Sequence, residues 1–338
     1  MNKRTKIRVS DVARAAGVSP GTVSNTLNRP DLVSEQTRKR VLAAVKKLDF
    51  VPNEGAAALR SGTSRTLGLV IPDVINPIYA EIAKGVADAA EAQGYGMMLF
   101  NTDDDPEREL QQLEMCVRHR SIGALIVPRK ADQGRLDRLR SFGLHLVLID
   151  RAASEHDGCS ISIDDVRGGL LATAHLLDSG RTRIVFVNGP AHIPQSANRR
   201  QGLRRALRLA ERDPDDFIEI NLAETGYHDG ERAAEQILRL PQRPDGVFCI
   251  NDQLAIGVLR GLAEAGIGVP AEIAVVGYGD SPIAESASVP LTTIRQPMID
   301  LGRAAFDQLL REVEESATVH HHSSRVFTPS LVVRSSAP

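Results

Sequence analysis

No stretch of this sequence is apolar for the roughly 18 residues that crossing a bilayer requires, so no membrane association is expected. The opening Met1-Asn2-Lys3-Arg4-Thr5-Lys6 is basic but leads into no apolar signal-peptide core, which implies a cytoplasmic protein. Cysteine is scarce. Cys116, Cys159 and Cys249 lie far apart without ligand spacing, which suits a reducing compartment and argues against structural zinc. Gly266-Ile267-Gly268 and Gly94-Tyr95-Gly96 lack the full dinucleotide fingerprint and read as turns. Asp103-Asp104-Asp105-Pro106 lacks an EF-hand pattern and reads as a helix cap. No paired carboxylates, phosphate loop or nucleophile–base set stands out, so neither a cofactor, a metal nor an enzymatic reaction is expected.

What is present is an ordinary globular composition, 42% hydrophobic and 25% charged over 338 residues. The net charge of −2 conceals a split. Residues 1–65 hold 13 Lys/Arg against 5 Asp/Glu, whereas the remaining 273 hold 28 against 38. A small basic head on a large acidic body points the head towards a polyanion, and nucleic acid is the usual one.

Residues 9–50 read as three short helices. Ser10 is placed to cap the first, whose apolar side is Val12, Ala13 and Ala16, with Gly17 as its stop. Ser19 caps the second, with Pro20 at its first position, where a missing N–H costs nothing. Val23 and Leu27 face inward, leaving Gly21, Ser24, Asn25 and Asn28 outside. The third starts near Ser34 and is expected to bury Val41, Leu42, Val45 and Leu48, ending before Pro52. Two helices joined by a tight glycine turn and closed by a third make a helix-turn-helix, whose second helix enters the major groove. Pro20 and Gly21 permit close approach, and Asn25 has an amide that pairs bidentately with adenine. Thr22, Ser24 and Arg38-Lys39-Arg40 suit phosphates. Gly17-Val18-Ser19-Pro20-Gly21 also fits the serine-hydrolase G-x-S-x-G, but that motif follows a strand, whereas a helix precedes it here.

The run Val9-Ser10-Asp11-Val12-Ala13-Arg14-Ala15-Ala16-Gly17-Val18-Ser19, then Thr22-Val23-Ser24 and Leu27-Asn28, resembles the head of the lactose/galactose repressor (LacI/GalR) family. The likeness continues through Val33-Ser34, Thr37-Arg38, Pro52-Asn53 and Ala58-Leu59-Arg60 and extends along the chain. It implies that residues 1–52 read double-stranded DNA and that residues 53–65 form a hinge. On DNA the hinge becomes a helix and, paired in a dimer, pushes Leu59 into the minor groove beside Arg60; apolar wedges of this kind kink duplexes. Otherwise Leu59 packs on the body. Gly55 departs from the pattern, since glycine costs a helix about 1 kcal/mol relative to alanine.

From residue 66 short apolar strands alternate with amphipathic helices. The strands are expected at Leu67–Ile71, Met97–Phe100, Ala124–Val127, Leu146–Ile149, Ile184–Val187, Val247–Ile250 and Ile273–Val276. Such alternation means parallel sheets covered on both faces. The whole chain is therefore expected to be α/β after an all-α head: a two-lobed, doubly wound body like that of periplasmic sugar-binding proteins. Lobe 1 is expected at about 66–163 and 293–322, lobe 2 at about 164–292 and 323–338. Ligands of such sheets bind outside the carboxyl ends of the strands, here between the lobes.

By resemblance, Tyr79, Asp150, Arg199, Asn251 and Gln296 match ligand-contacting positions, among the landmarks Asn76-Pro77-Ile78-Tyr79, Asn251-Asp252-Gln253 and Pro290 to Pro297. Arg199 offers five donors for ligand oxygens, or else forms a salt bridge on a solvated face with Arg200, Arg204 and Arg205 around it. Asp252 is a candidate helix cap. Two positions depart from the sugar-binding pattern. Gly279 stands where an aspartate usually follows the aromatic of Val276-Gly277-Tyr278, with Asp280 one later, and Asn221 stands near where a stacking aromatic is common. Losing a carboxylate while keeping Arg199 lowers the cost of binding an anion, so among small-molecule effectors, a sugar or sugar acid, the acid is expected. His320-His321-His322 is a candidate metal-binding run, but between a polar helix end and a late strand it reads as solvated loop or edge strand. The chain stops soon after Val332-Val333 without an apolar heptad segment, which implies a homodimer on a palindromic operator, with repression more in keeping with the family than activation. A solute-binding protein for uptake and a sugar-processing enzyme are the competing readings.

Overall fold

A computed structural model of the chain describes residues 7–51, 64–128, 133–151, 158–190, 193–315 and 320–338. Contacts divide it into two units, Met1–Ser64 and Arg65–Pro338.

In the first unit α1 (Val9–Ala16), α2 (Pro20–Asn28) and α3 (Glu35–Lys47) enclose Val12, Ala13, Ala16, Val23, Val41, Ala44 and Phe50. Gly17 ends α1 in the left-handed region, φ 65°, which glycine enters without a Cβ clash. The Ser19 hydroxyl accepts the Thr22 N–H at 3.1 Å, so the expected cap forms, and that of Ser34 accepts the Thr37 N–H at 3.4 Å, capping the third helix where it was expected to start. Two expectations are corrected. Ser10 lies inside α1, which is capped at Arg8, whose N–H donates to the Asp11 carboxylate at 2.9 Å. Leu42 is 47% exposed, because Val41 and Ala44 already fill the inward side of α3, and Phe50 closes the core instead. A 3₁₀ turn, Pro30–Leu32, also separates α2 from α3.

The second unit begins with β1 (Thr66–Ile71), α4 (Pro77–Ala92), β2 (Gly96–Asn101), α5 (Pro106–Arg118), β3 (Gly123–Ile126), α6 (Gln133–Ser141), β4 (His145–Ile149) and β5 (Cys159–Ile163). The chain then crosses to α7 (Asp165–Asp178), β6 (Ile184–Asn188), α8 (Pro194–Leu209), β7 (Ile218–Asn221), α9 (Tyr227–Leu238), β8 (Gly246–Cys249), α10 (Asp252–Glu264), β9 (Ala274–Gly279), α11 (Pro282–Ser286) and β10 (Thr292–Arg295). It returns through α12 (Met298–Glu314) and β11 (Ser324–Phe327) and ends in the second lobe with β12 (Ser330–Val332). The sheets run β11-β5-β4-β3-β1-β2 and β12-β10-β9-β8-β6-β7, parallel except for β12 against β10. Each reverses its winding beside its first strand, which opens a crevice at the strand carboxyl ends.

All seven expected strands form. Those missed, β5, β7, β10, β11 and β12, are short and carry polar residues, as in Cys159-Ser160-Ile161-Ser162-Ile163. Two lobe limits move. β10 bonds to β9, so the return crossing lies at Gln296-Pro297 and not at 292/293; β11 bonds to β5, so the last crossing follows Phe327 and not residue 322.

Three helix pairs cross at near-backbone distance. A Cβ on Gly85 would lie 2.1 Å from the Ile299 carbonyl oxygen, one on Gly202 2.1 Å from that of Val166, and one on Gly257 2.0 Å from that of Tyr227. The second crossing, α7 on α8, sets the spacing of the charged residues described next.

Candidate functional site

On the first unit, Ser19, Pro20, Gly21 and Asn25 are exposed and Thr22 and Ser24 half-exposed along α2. Beside them Val23 is fully buried, so the inward and outward sides fall as the spacing implies. Asn28 ends α2, but its side chain lies outside the described residues, as do Leu59 and Arg60. Arg38, Lys39 and Arg40 are exposed on α3, and Lys39 pairs with Glu35 at 2.8 Å. An exposed α2 face of small and amide side chains, with the basic cluster of α3 in the same unit, can seat on a duplex.

On the second unit, the carboxyl ends of β4, β8 and β9 and the amino end of α4 bring residues of both lobes together. Asn76, Ile78, Asn251, Asp252, Tyr278 and Ser281 line a crevice between the lobes. Asn76 caps α4, accepting the Ile78 N–H at 3.2 Å. Tyr79 is buried in the same first turn. Asp150 ends β4 in the left-handed region, φ 56°, and its carboxylate accepts from Gln195 of the other lobe at 2.9 Å.

Arg199 is buried at 7% exposure, which excludes the solvated salt bridge. Its Nε–H donates to Asp165 Oδ1 at 2.8 Å, and its guanidinium lies 3.7 Å from the centre of the Tyr278 ring. A further N–H donates to the Ile250 carbonyl, and the Tyr278 hydroxyl donates to the same Asp165 oxygen at 2.8 Å. Burial alone would lower the Arg199 pKa, but Asp165 beside it raises it, so the group stays charged. Burial, with Asp165 next, holds the Tyr278 phenol well above its ordinary pKa and therefore neutral. Two of the five donors of a guanidinium are thus engaged within the protein.

Asn251, not Asp252, caps α10: its Oδ1 accepts the Leu254 N–H at 2.8 Å and its Nδ2 donates to the Thr225 carbonyl at 2.9 Å. Asp252 instead accepts from Thr293 at 2.6 Å and from Ser281 at 2.9 and 3.0 Å, and burial raises its pKa in spite of them. Asp280 turns to two arginines, Arg295 at 2.6 Å and Arg334 at 2.7 Å. A Cβ on Gly279 would lie 2.9 Å from Asp252 Oδ2, so Asp252 crowds the place where the sugar-binding pattern has its aspartate. Gln296 sits at the lobe crossing, 3% exposed, and neither end of its amide has a partner among the described residues. Buried amides rarely stay unpaired without a reason.

Glu81, Asp165 and Gln195 were not foreseen, and Tyr278 was noted only as a landmark. Glu81 on α4 is pushed up to about 7, first by burial and then by Asp280 and Asp252. Asp165 inverts the argument for an acidic ligand. It matches the charge of Arg199, and Asp150, Asp252 and Glu81 bring further carboxyl groups to the crevice. The histidine run is loop ahead of the edge strand β11, as expected, with His321 exposed, but the His320 side chain is turned against Cys159 and is only 7% exposed.

Residues 8–53 match the family of bacterial regulatory proteins called lacI, and residues 173–337 match the periplasmic binding protein-like domain. The chain is 34% identical to the ribose operon repressor of Escherichia coli (strain K12) over 330 residues, 97% of this chain and 99% of that one. Among solved structures, the lac repressor dimer bound to operator and the anti-inducer ONPF superposes with a TM-score of 0.84 at 26% identity, covering 98% of this chain and 99% of that one. A LacI family regulator from Enterococcus faecium with bound ribose gives 0.74 at 26% identity, over 80% of this chain and 98% of that one.

Proposed function

Because the chain belongs to the lacI family of bacterial regulatory proteins, a DNA-binding transcriptional regulator and not an enzyme, we propose that it is a cytoplasmic homodimeric repressor that senses a neutral sugar. Residues 1–52 read the operator, 53–65 form the hinge and 66–338 sense the ligand and dimerise. Ser19, Pro20, Gly21, Thr22, Ser24, Asn25 and Asn28 face the major groove, and Leu59 and Arg60 the minor groove. Two heads on a two-fold axis fit a palindrome. Among the described residues no helix is long and apolar enough to cross a membrane.

The observation that carries the ligand class is the buried Asp165–Arg199 pair. With its charge matched by Asp165, Arg199 still has N–H donors free for hydroxyls, and the unpartnered Gln296 amide supplies further donors and an acceptor oxygen. Tyr79, Asp150, Asn251 and Asp280 complete the proposed contacts. The ribose-bound relative supports a sugar of pentose size. Ligand regulates DNA binding only to the extent that it prefers one lobe arrangement, and Gln195 on Asp150, bonded across the lobes, is a contact such a change would alter.

Selection of genomic fragments by the purified protein at stated salt, followed by calorimetry with pentoses and the matching sugar acids, tests both halves. A short palindrome and binding of a neutral sugar alone support the reading. Salt-sensitive binding without a consensus would refute operator recognition; preference for the acid would refute the charge argument.

A further inference from the structure

At the end of the first sheet opposite the sugar crevice, Cys159 opens β5, Glu312 sits on the last turn of α12, and His320 and His322 precede β11. Their Sγ, carboxylate and ring-nitrogen atoms all lie within 4.8 Å of one another. We propose that these four side chains form a structural metal site for zinc(II) or a similar borderline divalent cation.

Four observations carry it. The donor set of one thiol, two imidazoles and one carboxylate is one that tetrahedral zinc accepts, and four protein ligands make the site closed, therefore structural. Its spacing is already short: Cys159 Sγ lies 3.0 Å from His320 Nε2 and 3.6 Å from His322 Nδ1. Ligand atoms around tetrahedral zinc are about 3.3–3.8 Å apart for ordinary bond lengths, so only small shifts are needed. The outer contacts point the donors inward. His320 Nδ1 bonds to Glu315 Oε2 at 2.8 Å, which aims Nε2 at the centre as in a carboxylate–histidine–metal relay. The Gln308 amide donates to Cys159 Sγ at 3.1 Å, and His145 lies 3.7 Å from one Glu312 oxygen. Finally, Glu312 is 7% exposed and its other oxygen, Oε2, is buried with no partner among the described residues. A buried carboxylate oxygen without a donor is costly, and a cation bound there would satisfy it. On binding, the Cys159 thiol releases its proton and the thiolate takes the metal.

The site ties β5, the end of α12 and the start of β11 together, so the cation would cross-link three chain segments of the lobe. The test is cobalt(II) titration of the full-length chain, carrying no histidine tag and stripped with chelator. One equivalent should bind with the ligand-field bands of a four-coordinate ion and a thiolate-to-cobalt charge-transfer band, both bleached by zinc. C159S should lose the charge-transfer band. E315Q should weaken zinc binding about 10–100-fold, as outer contacts do, and H321A, altering an exposed neighbour, should change nothing. Unchanged circular dichroism and cooperative melting of each metal-free variant show that it is folded. Binding without the charge-transfer band, the same band in C159S, or no stoichiometric binding would overturn the site.

Discussion

Replacing Arg199 with methionine keeps most of the side-chain volume and removes only the charge and its donors. Asp165 would then be left 4% exposed with its carboxylate supported, among the described residues, by the Tyr278 hydroxyl. Breaking a buried pair by removing one partner costs about 3–5 kcal/mol, most of it from the stranded charge. The methionine sulfur recovers part of the lost contact with the Tyr278 ring, on the order of 1 kcal/mol. The net expectation for R199M is a loss of about 3 kcal/mol and, at roughly 2–4 °C per kcal/mol in domains of this size, a fall in Tm near 10 °C. Adding D165N removes the stranded carboxylate. The double variant should therefore be more stable than R199M, with a coupling of about 2 kcal/mol between the sites. Urea denaturation of the full chain and the two single and one double variants measures all four corners. A loss under about 1 kcal/mol for R199M, or strictly additive single effects, would mean that the pair is not the buried unit described and would remove the argument for a neutral ligand.

Glu81→Gln tests the carboxylates of the crevice. With a folded pKa of about 7 against a reference of 4.5, wild-type protein holds a proton on folding that the unfolded chain has lost. Stability from this group is full below the reference value and declines as pH rises through 7. E81Q should therefore melt above wild type at pH 8 and close to it at pH 4.5; a pH-independent difference would contradict the crowding. Gly202→Ala forces a methyl to 2.1 Å from the Val166 carbonyl oxygen, so α7 and α8 must part, at a cost of roughly 1–3 kcal/mol. Sugar affinity should fall with it, since Arg199 and Asp165 sit on those helices; an unchanged melt would refute the close crossing. Asn25→Ala should cost about 1–3 kcal/mol of operator affinity and relax preference at one base pair, whereas Arg38→Ala should weaken all sequences alike and reduce the salt slope by about 1. Competition binding over a panel of operator variants separates the two.

Sequence alone determined whatever depends on neighbours a few residues apart. The cap at Ser19, the left-handed stop at Gly17, the start of the third helix near Ser34, the inward Val23 and the seven apolar strands are local features, because a helix repeats every 3.6 residues and a buried strand needs only a short apolar run. From those, the family pattern and the place of the crevice at the strand ends followed. Ser10 and Leu42 were misjudged because a cap and a core position have several acceptable neighbours, and packing chooses among them. Tertiary structure alone decided where charges meet. Asp165 and Arg199 lie 34 residues apart, and nothing in either neighbourhood marks the partner, yet their contact carries the proposal of a neutral ligand. Cys159 and His320 lie 161 apart. The histidine run was visible in the sequence, but Cys159 and Glu312 were not linked to it, and the return of β11 beside β5 brings them together. Electrostatic and coordination chemistry act over a few ångströms of space, and in a parallel sheet adjacent strands can be separated by half the chain.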